Sequence, residues 1–188
     1  MSEFFLQILW TFDATLRVAT PLIFCAMAGI FSERSGIVDI SLEGKLLSGA
    51  FVAATIASLT GSAWLGLCGA IIASVLMSLL HGFACITHKG DQVVSGVAIN
   101  FLASGITVIL GIAIFKRGGQ TPTLNLNERF SPIELWFTES INNIPIIGTI
   151  YRELISGHSL LVYLALVCVP LASFILYRSR FGLRLRAV

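Results

Sequence analysis

Charge is scarce in this sequence. Asp, Glu, Lys and Arg make up 12% of its 188 residues, against about 25% in an average soluble domain. A soluble chain of this length needs a polar shell, and 56% hydrophobic residues with a mean hydropathy of +0.90 leave too little to build one. That composition argues against a cytosolic enzyme, a disordered protein and a secreted disulfide scaffold. The 12 Lys and Arg nearly balance the 10 Asp and Glu, so no nucleic-acid partner is expected. Cysteine is sparse too. Cys25, Cys68, Cys85 and Cys168 stand singly in apolar runs with no C-x-x-C pair, and each reads as a small buried hydrophobe. His81 and His88 have no carboxylate or cysteine at ligand spacing, so neither a metal nor another cofactor is expected. P-loop, dinucleotide fingerprint and nucleophile–base patterns are missing as well, and nothing points to catalysis. The apolar stretch Phe4–Phe12 lacks a basic flank and a cleavage signal, so it does not read as a removable leader.

Long apolar runs are what the chain does have. Ser62–Ile86, Val93–Phe115 and Ser159–Tyr177 reach the roughly 20 residues needed to span a bilayer without Asp, Glu, Lys or Arg. Thr15–Phe31 and Leu42–Leu59 are shorter and carry Arg17, and Glu43 with Lys45, near their starts. The expected fold is therefore an all-α polytopic membrane bundle of about five spans, residues 1–188 forming one transmembrane domain. The polar stretch 32–41 marks a broken or re-entrant region between the first two spans, because irregular backbone at membrane depth survives only against protein or a water-filled cavity. The basic tail 178–188, with Arg178, Arg180, Arg184 and Arg186, predicts a cytosolic C-terminus, an external N-terminus and an external segment 116–158. Pro122, Pro132 and Pro145 make that segment unlike a single helix. Trp136 suggests an interfacial element there, with a docking surface as the alternative.

Small residues recur at every fourth position, Gly49, Ala53, Ala57 and Gly61 in one run and Gly66, Ala70, Ser74, Ser78 and Gly82 in the next. Such stripes let helix backbones approach closely in lipid. Against this background the polar residues carry the information. Asp39, Glu43 and Lys45 gather at the break, where a charge at the bilayer centre costs on the order of 2.5–3.5 kcal/mol. Either they sit wet at the cytosolic interface or they line a polar solute route. Glu43 and Lys45 do not share a helical face, which predicts pairing with Arg34 or other helices. Gly96, Asn100 and Ser104 share a face of the fourth span, with Asn100 as interhelical glue or as route lining. Asp39, Ser41, Glu43 and Asn100 form the candidate substrate pathway, with Asp39 and Asn100 expected to approach one another.

The run from Phe31 to Ala50, FSERSGIVDISLEGKLLSGA, resembles the signature of the permease subunits of ABC importers for simple sugars and nucleosides, in the wider class that includes ribose and branched-chain amino acid permeases. Asp91–Asn100, DQVVSGVAIN, and Phe181–Val188, FGLRLRAV, resemble further family segments in the right order. The resemblance implies a multi-pass subunit in the bacterial cytoplasmic membrane that translocates nucleosides or simple sugars without binding ATP itself. It also implies a second permease subunit, cytosolic ATPase subunits and an external substrate-binding protein as partners. Nucleoside is the first choice, on the Glu33-Arg34-Ser35-Gly36 form of the signature, and a transport-inactive membrane scaffold is the alternative. Within the tail, Gly182, Arg184 and Arg186 are the candidate ATPase-coupling residues, against a reading of the arginines as anchors to anionic lipid. Family members usually carry Asn, Gly and Gln where Asp39, Ser41 and Lys45 stand, and they continue through further helices, so the chain resembles the N-terminal part of a permease.

Overall fold

A computed structural model describes residues 3–117, 120–133 and 156–187. Five of its helices are long and apolar enough to cross a membrane: α1 (Glu3–Arg34), α2 (Leu42–Thr60), α3 (Ala63–Gly82, continued by a π-helical turn Phe83–Thr87), α4 (Gln92–Phe115) and α5 (Leu160–Arg178). A short helix, α6 (Arg180–Leu185), follows α5. The chain folds as a polytopic all-α membrane protein.

The first span starts earlier than the sequence reading placed it. Asp13 and Arg17 lie one turn apart and pair, Arg17 Nη2 to Asp13 Oδ2 at 3.1 Å, so two charges that look like an interruption satisfy one another on one face and the helix runs back to Glu3. Its C-terminus is a Schellman turn. Gly36 takes φ +81° at the left-handed position, its N–H donates to Glu33 O at 3.1 Å, and Ile37 N–H donates to Ser32 O at 3.2 Å. The break between α1 and α2 is thereby built from a helix stop, as the Ser32–Ser41 sequence implied.

The chain divides into two compact units, Met1–Met27 with Phe130–Leu183, and Ala28–Arg129 with Arg184–Val188. In the first, β1 (Pro132–Ile133) pairs antiparallel with β2 (His158–Ser159), in the register Pro132 to Ser159 and Ile133 to His158. Buried His158 brings Nδ1 within 3.3 Å of Asp13 Oδ1. Most of the predicted external segment, including Trp136 and Pro145, lies outside the described residues.

The second unit is organised by α2, α3 and α4, and the stripes do meet. A Cβ on Gly66 would fall 2.7 Å from Ala53 O and 3.1 Å from Ala57 Cβ, and one on Gly49 would fall 2.7 Å from Ser74 Oγ. Close backbone approach of α2 and α3 therefore depends on these glycines. Gly61 has a different task. With φ +69° and its N–H on Ala57 O it ends α2, while Gly69, absent from the stripe, sits against Ile56 and Val52. Only one of the four cysteines is buried, Cys85; Cys25 and Cys168 are half-buried and Cys68 is exposed. Many large apolar side chains of the long helices are likewise exposed, Phe101 at 76% and Ile109 at 67% among them, as lipid-facing residues require. Outside the long helices, Asn125 and Glu128 cap a single 3-10 turn reciprocally. The Asn125 backbone N–H donates to the Glu128 carboxylate and, with the Asn125 side-chain amide, holds that carboxyl below its ordinary range.

Candidate functional site: a clamped break between two spans

The segment joining α1 to α2 exposes backbone donors and acceptors that helix geometry does not satisfy, and one face of α4 supplies partners for them. Gln92 begins α4, just after Asp91, whose carboxylate caps the helix by accepting from Val93 N–H and Val94 N–H at 2.8 and 3.0 Å. Gln92 Oε1 accepts from Val38 N–H at 2.7 Å and Nε2 donates to Gly36 O at 3.4 Å. Two turns further along the same face, Asn100 Oδ1 accepts from Gly44 N–H at 2.8 Å and Nδ2 donates to Ile40 O at 3.1 Å. Gly44 is in the first turn of α2, so Asn100 caps that helix from across the bundle. The N-cap residue itself, Ser41, spends its hydroxyl elsewhere. Between the two amides lies Gly96, where a Cβ would fall 3.1 Å from Ile40 Cβ and 3.3 Å from Ser41 N. Gln92, Gly96 and Asn100 thus form a clamp at four-residue spacing: amide, bare backbone, amide.

A charged cluster fills the break. Asp39 Oδ1 accepts from Ser41 N–H at 3.0 Å and from Ser41 Oγ at 2.5 Å, a local turn that aims the carboxylate inward. Oδ2 pairs with Lys45 Nζ. The two side chains are only 9% and 10% exposed. Lys45 thus pairs with Asp39 of the preceding connection, while Glu43 and Arg34 are both exposed. Buried His81 of α3 places Nε2 3.8 Å from Asp39 Oδ1, too far for a hydrogen bond, and Nδ1 3.2 Å from Ser95 Oγ of α4. Cys85 lies 3.7 Å from the same ring. One carboxylate, one ammonium and one imidazole from three segments therefore share one buried site.

Three of the four candidate pathway residues, Asp39, Ser41 and Asn100, belong to this site. Asp39 and Asn100 do not bond one another, since each holds a different part of the same connection. Glu43 is exposed in the first turn of α2. Sequence reasoning missed the parts of Gln92 and His81, and Gln92 had a usable signal: an amide two turns before Asn100 on one apolar face. In the tail, Ser179 Oγ accepts from Gly182 N–H at 3.0 Å and donates to Ile175 O at 2.6 Å. Gly182 lies so close to the carbonyls of Ile175 and Leu176 that no Cβ fits, while Arg184 and Arg186 are exposed. Gly182 sets the sharp turn between α5 and α6, a task distinct from that of the arginines beyond it.

Comparison with known proteins identifies the scaffold. Residues 11–188 match the family model described as branched-chain amino acid transport system / permease component. The chain belongs to this permease family. The nucleoside ABC transporter permease protein NupC of Lactococcus lactis is 39% identical over 179 residues, 92% of this chain and 53% of that protein. The guanosine ABC transporter permease protein NupQ of Bacillus subtilis is 38% identical over 93% of this chain and 54% of its own length. A putative glucose ABC transporter permease protein of Haloferax volcanii, TsgC13, is 31% identical over 94% of this chain and 50% of its own length. This permease chain thus spans about half the length of the curated relatives it matches. No solved structure matches it. Family and apolar helices together make it a multi-pass protein of the cytoplasmic membrane. Asp39 and Lys45, at the break within the first family-like segment, are each other's partners.

Proposed function

We propose that the chain is part of the transmembrane permease of an ABC importer that moves nucleosides across the cytoplasmic membrane, driven by separate cytosolic ATPase subunits and fed by an external substrate-binding protein. The observation that carries this reading is the ordered polar break between α1 and α2, within a chain 38–39% identical to nucleoside and guanosine permeases. Asp39, Ser41 and Asn100 shape the inner end of the route by fixing the connection, and the exposed Glu43 borders it. Gly182 turns the chain into α6, and Arg184 and Arg186 dock on an ATPase groove through charge-assisted hydrogen bonds.

Uptake of labelled guanosine, uridine and glucose by vesicles holding the complete importer tests this. ATP-dependent entry of a nucleoside supports the reading, and entry of glucose alone overturns the substrate class. In the same vesicles Arg184→Lys with Arg186→Lys should keep membrane insertion and lose ATPase co-purification, since lysine cannot reproduce the guanidinium fork. Full retention of the ATPase would reduce the arginines to lipid anchors.

The orientation follows from the basic residues, with Arg34, Lys45, Lys89 and the tail cytosolic and 116–158 external. Single cysteines at Thr123 and at Ser179, in a protein with the four native cysteines replaced, should react with an impermeant thiol reagent only at the first in intact cells. Labelling at Ser179 alone would invert the topology.

A further inference from the structure

The α4 face that clamps the break continues beyond it. One turn past Asn100 it contributes Ser104, then Thr107 and Gly111, to a groove of about 370 Å³ between α2 and α4. Phe51 and Ala50 of α2 form the opposite wall, and Gln120 and Thr121, in the segment after α4, lie at one end. The volume falls at the low end of small-molecule sites, which begin at roughly 300 Å³. The groove combines three chemistries. Phe51 supplies an aromatic ring, set close to the bare backbone of Gly111, where a Cβ would fall 3.7 Å from the ring edge. The side chains of Ser104 and Gln120 are exposed and make no hydrogen bond among the described residues. Thr107 donates its hydroxyl to the carbonyls of Ala103 and Ser104 and keeps lone pairs to accept with. Among the described residues no ionisable side chain lines the space.

We propose that this groove is an outer subsite for one neutral nucleoside, the base lying on Phe51 and the ribose hydroxyls bonded by Ser104 and Gln120. The proposal rests on the nucleoside-importer reading and adds to it a place and a selectivity. A flat base needs an aromatic face, a ribose needs uncommitted hydroxyl and amide partners, and the groove sets these side by side. The described lining sets no cation against a phosphate in the groove itself, so the site favours a nucleoside over a nucleotide. A free sugar would find the hydrogen bonds but bring no flat base to lie on Phe51. The position along α4 agrees. At about 1.5 Å per residue, Ser104 lies roughly 18 Å from Gln92, towards the end of α4 that leads into the external segment. Solute handed over from outside reaches this groove before the clamp.

The test is protection of a single cysteine in the complete importer. Ser104→Cys, in a protein with the four native cysteines replaced, should react with a small impermeant thiol reagent from outside. Guanosine or uridine should slow that reaction several-fold, whereas GMP and ribose at the same concentration should not. Phe51→Leu should raise the nucleoside concentration needed for half-protection about tenfold, while Phe51→Tyr keeps it near its original value, with unfolding temperatures unchanged in both. Absence of protection by either nucleoside, equal protection by GMP, or no response to Phe51→Leu would overturn the subsite. If nucleoside uptake persists where protection is missing, the subsite alone fails. If protection is seen without uptake, the subsite stands and the importer reading falls.

Discussion

Lys45→Ala should cost about 3–5 kcal/mol of stability, the penalty for leaving one member of a buried ion pair without its partner, and Asp39→Ala should cost a similar amount. With the two side chains 9% and 10% exposed, solvent screens the interaction little. Asp39→Ala also removes the acceptor for Ser41 N–H and Ser41 Oγ, loosening the turn that leads into α2. A neutral exchange of both partners behaves differently. Asp39→Asn with Lys45→Gln removes both charges together and leaves two amides able to bond each other, so it should recover most of what either alanine variant loses. The measurement is the unfolding temperature and folded yield of the detergent-solubilised protein for the two single alanine variants and the double amide. Alanine variants as stable as the parent would show that the charges are wet and the pair is incidental. A double amide no better than the alanine variants would show that the charges themselves are required.

The spanning helices were legible because a bilayer imposes a length and an apolar composition, and Ser62–Ile86, Val93–Phe115 and Ser159–Tyr177 meet both. Observed α3 with its π-helical turn, α4 and α5 fall within a few residues of these limits. The break was legible from the polarity of residues 32–41, which cannot face lipid, while the stop at Gly36 came from the structure. The start of α1 was not legible, because Arg17 reads as an interruption near the start of the span while the helix pairs it with Asp13 one turn earlier. The partners in the candidate site were hidden for another reason. Asn100 bonds the backbone of Ile40 and Gly44, and a backbone group carries no side-chain signature that a sequence pattern can match. Lys45 reaches Asp39 only because Ser41 turns the chain between them. His81 and Phe51 gained their places from how α3 and α2 pack on α4, which periodicity within one helix does not encode. The family segments covered both the break and the start of α4, and in the fold those two segments touch.

Gly44→Ala is expected to separate α2 from α4 at the clamp. Alanine is the better helix former by about 1 kcal/mol, so propensity alone favours the substitution. Packing opposes it more strongly. The new Cβ would fall 2.8 Å from Asn100 Oδ1, 2.9 Å from Asn100 Cα and 3.1 Å from Ala103 Cβ. An amide oxygen can rotate away, but a helical Cα moves only if its helix moves, so overpacking adds about 1–3 kcal/mol. Withdrawal of α2 then breaks the Gly44 N–H bond to Asn100, and a desolvated donor left unpaired costs about 1–3 kcal/mol more. The net effect should be a loss of about 1–5 kcal/mol. Gly105→Ala is the control on α4, because its Cβ meets nothing within 4 Å; it should be neutral or stabilising by up to about 1 kcal/mol. Asn100→Leu should approach the cost of Gly44→Ala by another route, orphaning Gly44 N–H and Ile40 C=O together. Combining it with Gly44→Ala should cost less than the sum, since both variants destroy the same contact. Hydrogen exchange gives the local reading, with faster exchange at residues 36–44 in both variants and unchanged protection across the α2–α3 interface around Gly66. If Gly44→Ala unfolds no earlier than Gly105→Ala, the close approach of α2 to α4 is not what holds the break, and Asn100 is then free to serve the solute directly.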